Sequence, residues 1–271
     1  MSPKYETLLV SVENKVCHVQ INRPDKANSM SLEFWEDIGN VFEWIDKTPE
    51  VRVVVLSAIG KHFCAGLDLS MFGSTLASET DCEARKREAL RLNILQLQDR
   101  LSLIERCRKP VLAAVQGGCI GGGIDMISAC DMRYSGGDVY FTIKEIDIGM
   151  TADVGTLQRL PYIIGDGIMR ELAYTGRNVY GEEAQAIGMV NKHFETKESM
   201  MEEVMRIASD IAAKSPISIR GTKEMIIYTR SHTVEDGLNY IATWNAAMLQ
   251  SNDLMETMTA KAEGRDPVFS D

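Results

Sequence analysis

With 271 residues, 45% hydrophobic and 25% charged, the chain can bury a sizeable core as one large domain or as a domain with a smaller appendage. A formal charge of −10 excludes the non-specific grip on nucleic acid that clustered Lys and Arg provide, while leaving local basic spots for an anionic small molecule. The six cysteines form no Cys-x-x-Cys pair and the four histidines have no metal-ligand spacing, so no metal is expected and the thiols read as free and buried in a reducing compartment.

In chain order, Leu8–Val12 and Lys15–Ile21 read as two strands around a turn at Glu13-Asn14. A turn-rich loop, Arg23-Pro24-Asp25-Lys26-Ala27-Asn28, leads to Ser31, the expected N-cap of a helix reaching about Asp46. The apolar run Val53–Leu56 predicts a strand buried on both faces. Thr80-Asp81-Cys82-Glu83 fits a capping box, opening a helix whose apolar stripe is Leu90, Ile94, Leu97, Leu101 and Ile104. Pro110 ends it, and Val111–Val115 is another buried strand. Gly117 to Gly123 reads as a glycine-rich turn into a short helix, 124–130, with strand-like segments at Val139–Ile143 and near Glu145. From Gly155 the signals are mostly helical, with Ser215-Pro216, Thr233 and Ser251 opening three helices in an all-helical tail that begins near residue 200.

Three acids, Asp125, Glu145 and Asp153, lie close together along the chain among apolar residues, where charge is poorly solvated and pKa values are easily displaced. The glycines before Asp125 do not match the spacing of a dinucleotide fingerprint, and no Walker lysine follows them. They would instead leave bare N–H groups at a helix start. A second segment, Gly60 to Asp68, follows a buried strand and carries the small pair Ala65-Gly66. Two such amides meeting at one oxygen would make an oxyanion hole.

The order of motifs resembles the crotonase family of enoyl-CoA hydratases and isomerases. Phe63-Cys64-Ala65-Gly66-Leu67-Asp68 comes first, then Gly117-Gly118-Cys119-Ile120-Gly121-Gly122-Gly123-Ile124-Asp125, then Lys144-Glu145 with Gly149, then Thr156-Leu157-Gln158-Arg159-Leu160. The resemblance implies an α/β spiral of ββα units in residues 1–200, a helical trimerisation region in 201–271, and a homotrimer or dimer of trimers. It also implies an acyl-CoA thioester as substrate, with no cofactor beyond the coenzyme A of the substrate itself. By position, Ala65 and Gly122 resemble the oxyanion-hole donors, and Asp125 and Glu145 stand where hydratases keep two catalytic glutamates. Asp153, in Ala152-Asp153-Val154-Gly155, replaces the usual hydratase glycine and is similar to the dienoyl-CoA isomerase branch, as is Tyr240–Asn245.

That branch would shift a 3,5-dienoyl-CoA to a 2,4-dienoyl-CoA within fatty-acid β-oxidation. The proton leaves C2 and one returns at C6, too far apart for a single carboxylate, so two are needed. The resemblance implies Glu145 as the base at C2, since its counterpart in hydratases works beside that carbon, and Asp153 as the acid at C6, with the sequence alone leaving open which faces which. Asp125 would orient or tune the pair, and Asp147 reads as a solvated or structural residue. Lys26, Lys61, His62, Asp68 and Arg265 are candidate substrate contacts, although Gly264 stands where relatives often keep a lysine. An enoyl-CoA hydratase using Asp125 and Glu145 is the alternative. A non-catalytic CoA- or RNA-binding relative is the second alternative, and it would show lost acids or a basic helix face. No apolar run reaches membrane-spanning length, the first residues lack a signal-peptide core, and Phe269-Ser270-Asp271 is not an S-K-L type signal. An intracellular soluble protein is therefore expected, in mitochondrion or peroxisome by resemblance.

Overall fold

In the computed structural model, which describes residues 3–68, 70–71 and 81–271, the N-terminal alternation becomes an antiparallel hairpin of β1 (Leu8–Glu13) and β2 (Val16–Ile21). The turn is one residue later than expected. Asn14 and Lys15 both take positive φ, 49° and 67°, the conformation that matches the twist of a two-residue hairpin.

A 3-10 turn (Pro24–Lys26) and helix α1 (Leu32–Lys47), capped by Ser31, carry the chain to β3 (Val53–Ala58), which pairs parallel with β2 and is buried at every residue. Helix α2 (Glu83–Arg106) follows. Its N-cap is Cys82 with no side-chain capping bond, and Thr80 of the expected capping box lies outside the described residues. Only Leu101 and Ile104 of the predicted stripe are buried; Leu90, Ile94 and Leu97 are half-buried.

Strand β4 (Val111–Ile120) runs parallel to β3 and continues through Gly117 and Gly118, the first glycines of the segment that reads as a turn. It can do so because β5 (Met132–Thr142) pairs with it along its length, with a bulge between Gln116 and Gly118. At the bulge Gly117 has φ +58°, and a Cβ there would lie 2.0 Å from the Lys61 carbonyl oxygen, so only glycine lets the two segments touch. Helix α3 (Gly122–Ser128) connects β4 to β5. The segment expected to be strand-like at Glu145 is a 3-10 helix, Glu145–Ile148, closed by Gly149 in the left-handed region.

Short helices α4 (Thr156–Arg159), α5 (Pro161–Ile164), α6 (Asp166–Thr175) and α7 (Gly181–Ala186) follow, together with two short strands the helical signals hid. These are β6 (Val179–Tyr180) and β7 (Lys192–Phe194), both paired to β5. Helix α8 (Lys197–Ala212) straddles residue 200 and packs Met200, Val204, Ala208 and Ala212 against Val53, Val55, Leu112 and Ala114. The opposite sheet face packs on α1 and the end of α2. The tail is α9 (Pro216–Thr229), α10 (Val234–Met248) and α11 (Asn252–Glu263), with Ser215, Thr233 and Ser251 accepting capping bonds as the sequence predicts. Helix α10 buries none of its residues within the chain.

Candidate active site

The expected site segments meet at the C-terminal end of β4. The loop after β3 lies along this strand end: Phe63 and Cys64 donate to the Gly118 carbonyl, each at 3.1 Å, and Ile120 donates to the Cys64 carbonyl at 2.9 Å. This ladder brings Ala65-Gly66 beside the first turn of α3. A Cβ on Gly66 would stand 3.7 Å from the Gly122 nitrogen. Gly122 is the first residue of α3, so its N–H has no intrahelical acceptor and none is found among the described residues. The Ala65 N–H differs from expectation. It is not bare but donates to the Ala27 carbonyl at 3.1 Å.

Asp125 and Glu145 lie close to that helix start, Asp125 in its first turn and Glu145 against Gly121. Asp125 is 1% exposed, and one carboxylate oxygen accepts the Thr156 N–H at 2.6 Å, tying α3 to the start of α4. Burial pushes its pKa up to about 6 against that hydrogen bond, and the neighbouring Asp153 adds to the rise. Glu145 is raised to about 7, first by burial and then by the charge of Asp125, with Asp153 contributing. Its Oε1 lies 2.9 Å from where a Cβ on Gly121 would sit, and its Oε2 is buried with no hydrogen-bond partner. Gly121 (φ +50°) thus yields its side-chain space to that carboxyl. Asp153 is half-buried and raised by burial, its backbone held by Gln98, whose Nε2 donates to the Asp153 carbonyl at 2.6 Å. The charge of Asp153 raises both Asp125 and Glu145, and that of Asp125 raises Glu145 further, so the site resists holding all three charges at once.

Asp153 also faces a cavity of about 490 Å³, lined by Gln98, Ser102, Glu105, Gln158, Arg159 and Arg230 among others. Glu105 bridges Arg159, at 3.1 Å, and Arg230. Sequence reasoning named Arg159 only as part of a motif and passed over Gln98 and Glu105, because the stripe on α2 drew attention to its apolar face and nothing local links that helix to residue 153.

The other expected contacts are placed as follows. Lys26 and Lys61 are exposed. His62 is half-buried, and its Nδ1 accepts the Gly118 N–H at 3.0 Å, which fixes the loop to β4. Asp68 accepts from Ser70, Ser29 and Arg23, so those donors hold it ionised at a pKa of about 2 and it braces the loop. Arg265 pairs with Glu256 at 2.6 Å and Glu263 at 2.7 Å, away from the acids' own elements. Asp147 is exposed and paired with Lys144 at 2.6 Å. Among the described residues, no cluster of His, Cys, Asp and Glu could hold a metal, and no helix is long and apolar enough to cross a membrane.

Comparison with known proteins agrees with this architecture. The family model described as Enoyl-CoA hydratase/isomerase matches residues 11–271. The chain is 44% identical over 265 residues to the mitochondrial Delta(3,5)-Delta(2,4)-dienoyl-CoA isomerase of Homo sapiens, covering 97% of this chain and 81% of that protein. It is 44% identical over 271 residues to the peroxisomal Delta(3,5)-Delta(2,4)-dienoyl-CoA isomerase of Arabidopsis thaliana, covering 98% of each. The crystal structure of an enoyl-CoA hydratase from Bacillus anthracis superposes with a TM-score of 0.87 at 29% identity, covering 98% of this chain and 99% of that one. With the motifs in order, the sheet and helices in place and the match running almost end to end, the chain belongs to the enoyl-CoA hydratase/isomerase family.

Proposed function

We propose that this protein is a dienoyl-CoA isomerase of fatty-acid β-oxidation, converting 3,5-dienoyl-CoA to 2,4-dienoyl-CoA. The observation that carries this reading is the gathering of three buried or half-buried carboxyls around one helix start, with Asp153 as the third. Hydration has no use for that third acid, and relatives named as dienoyl-CoA isomerases are 44% identical to this chain over 265 and 271 aligned residues.

In this mechanism the thioester oxygen takes the Gly122 N–H and displaces the Ala27 carbonyl from the Ala65 N–H. Glu145, whose Oε2 is buried and unpaired, removes a C2 proton. Charge then spreads over the dienolate and the thioester oxygen, and Asp153 delivers a proton to C6. Asp125 positions this pair by gripping Thr156 close to Asp153, and its charge helps keep Glu145 basic. Lys26 and Lys61, both exposed, would meet CoA phosphates, while His62 and Asp68 hold the loop that carries Ala65. Residues 201–271, above all the unburied α10, serve assembly into trimers. The compartment is mitochondrion or peroxisome, following the relatives.

The deciding experiment incubates the purified protein with 3,5-dienoyl-CoA and, in parallel, with crotonyl-CoA. Growth of the conjugated 2,4-dienoyl thioester absorbance is expected. Its absence beside rapid hydration of crotonyl-CoA would replace this reading with a hydratase.

A further inference from the structure

Resting on the isomerase reading, each turnover leaves the acid pair inverted. Glu145 ends holding the C2 proton and Asp153 ends ionised, so one must lose a proton and the other gain one before the next substrate reacts. The two carboxyls differ in their access to water. Glu145 has a buried oxygen packed against Gly121 and does not line the polar cavity. Asp153 lines that cavity, whose rim at Gln158, Arg230 and Ser231 is exposed. At about 490 Å³ and with amide, hydroxyl and charged groups on its walls, it has the room and the partners that hydrogen-bonded water requires. The same wall fixes the acid's backbone, since Gln98 donates to the Asp153 carbonyl at 2.6 Å and Arg159 Nη1 to the Val154 carbonyl at 3.4 Å. Arg159 is itself held by Glu105 and by Ser102, whose Oγ accepts from it at 2.9 Å.

We propose that Asp153 regains its proton from solvent through the cavity bounded by Gln98, Ser102, Glu105, Gln158, Arg159 and Arg230, so that the proton placed at C6 never derives from C2. The step balances. A hydronium or water proton passes to the Asp153 carboxylate through this cavity, and the C2 proton on Glu145 is released through the substrate opening once product leaves. Direct transfer from Glu145 to Asp153 past Asp125 is the competing path.

Substrate dideuterated at C2, turned over many times in H2O, is expected to give product with no deuterium at C6, and unlabelled substrate in D2O product with one. Deuterium from C2 appearing at C6 would overturn the proposal. Narrowing the cavity at its exposed rim with Ser231→Trp, and separately from α9 with Ile227→Phe, is expected to lower steady-state kcat about tenfold. The single-turnover rate and the affinity for a product analogue should hold, because only the reset is slowed. If both variants keep wild-type kcat, or if KM changes with acyl length while kcat stays intact, the cavity serves the acyl tail and the proposal fails. Should the variants not fold, the labelling of the wild-type protein still decides. A wild-type protein that makes no 2,4-dienoyl product sinks the isomerase reading itself, a result distinct from a label that travels from C2 to C6.

Discussion

At the scale of single residues, the acids set both rate and pH response. Glu145→Gln and Asp153→Asn each remove one proton-transfer partner, and each is expected to cut kcat by about 10²–10⁴ while leaving CoA binding in place, as measured by turnover and by calorimetry with a product analogue. The base must be ionised, so kcat/KM should rise with pH through about 7, the value to which burial and Asp125 push Glu145. Asp125→Asn deletes one of the charges that raise it and should move this limb to lower pH in the pH–rate profile; an unmoved limb would remove Glu145 from the base role. Stability follows with the opposite sense. A carboxyl raised in the folded state favours folding while both states are protonated, below about pH 4, and this support is lost as pH rises through about 7. Glu145→Gln should therefore raise the thermal midpoint at pH 8, by on the order of 2 kcal/mol in stability, and change it little at pH 4. The positions of these acids were legible because glycine and apolar context flank each one in sequence. The partner of the Ala65 amide was not, since its bond to Ala27 spans distant segments and only the folded loop creates it.

At the scale of elements, the site depends on how closely β4 meets the loop after β3. Gly117→Ala would need a Cβ 2.0 Å from the Lys61 oxygen at a φ of +58°. A loss of about 1–3 kcal/mol in urea unfolding is expected, with activity falling further than occupancy of the folded state explains because Ala65 shifts. The hairpin and the three tail caps were readable, since alternation and Ser/Thr caps are local signals. The length of β4 and the short strands β6 and β7 were not. In β4, glycines read as a turn until a neighbouring strand supplies their hydrogen-bond partners, while β6 and β7 are two- and three-residue segments that show no period of their own; β5 pairs with all three strands. Glu145 was misread as strand-like for a related reason: the apolar residues after it, Ile146 and Ile148, lie on a 3-10 turn and are largely exposed, 47% and 58%.

For the whole molecule, the α/β class and the order of the elements followed from motif order, whereas assembly is a matter of surfaces. Helix α10 exposes Val234 (73%) and Leu238 (63%), and α11 exposes Met255 (63%) and Met258 (59%), apolar side chains of the kind that subunit contacts cover. Leu238→Glu is expected to convert the proposed trimer to smaller species by light scattering, with the helical circular dichroism preserved; an unchanged mass would place the contact elsewhere.

The pairing of the Ala65 N–H with the Ala27 carbonyl has a consequence for selectivity between ground state and transition state. A neutral amide oxygen already saturates that donor, so a neutral thioester arriving there exchanges one bond for another of similar strength and gains little. An oxygen carrying enolate charge wins the exchange decisively, because charge-assisted hydrogen bonds are roughly twice as strong as neutral ones. The internal competitor thus subtracts from substrate affinity and leaves the advantage to the species at the top of the barrier, which is how a single occupied amide can favour catalysis over tight binding.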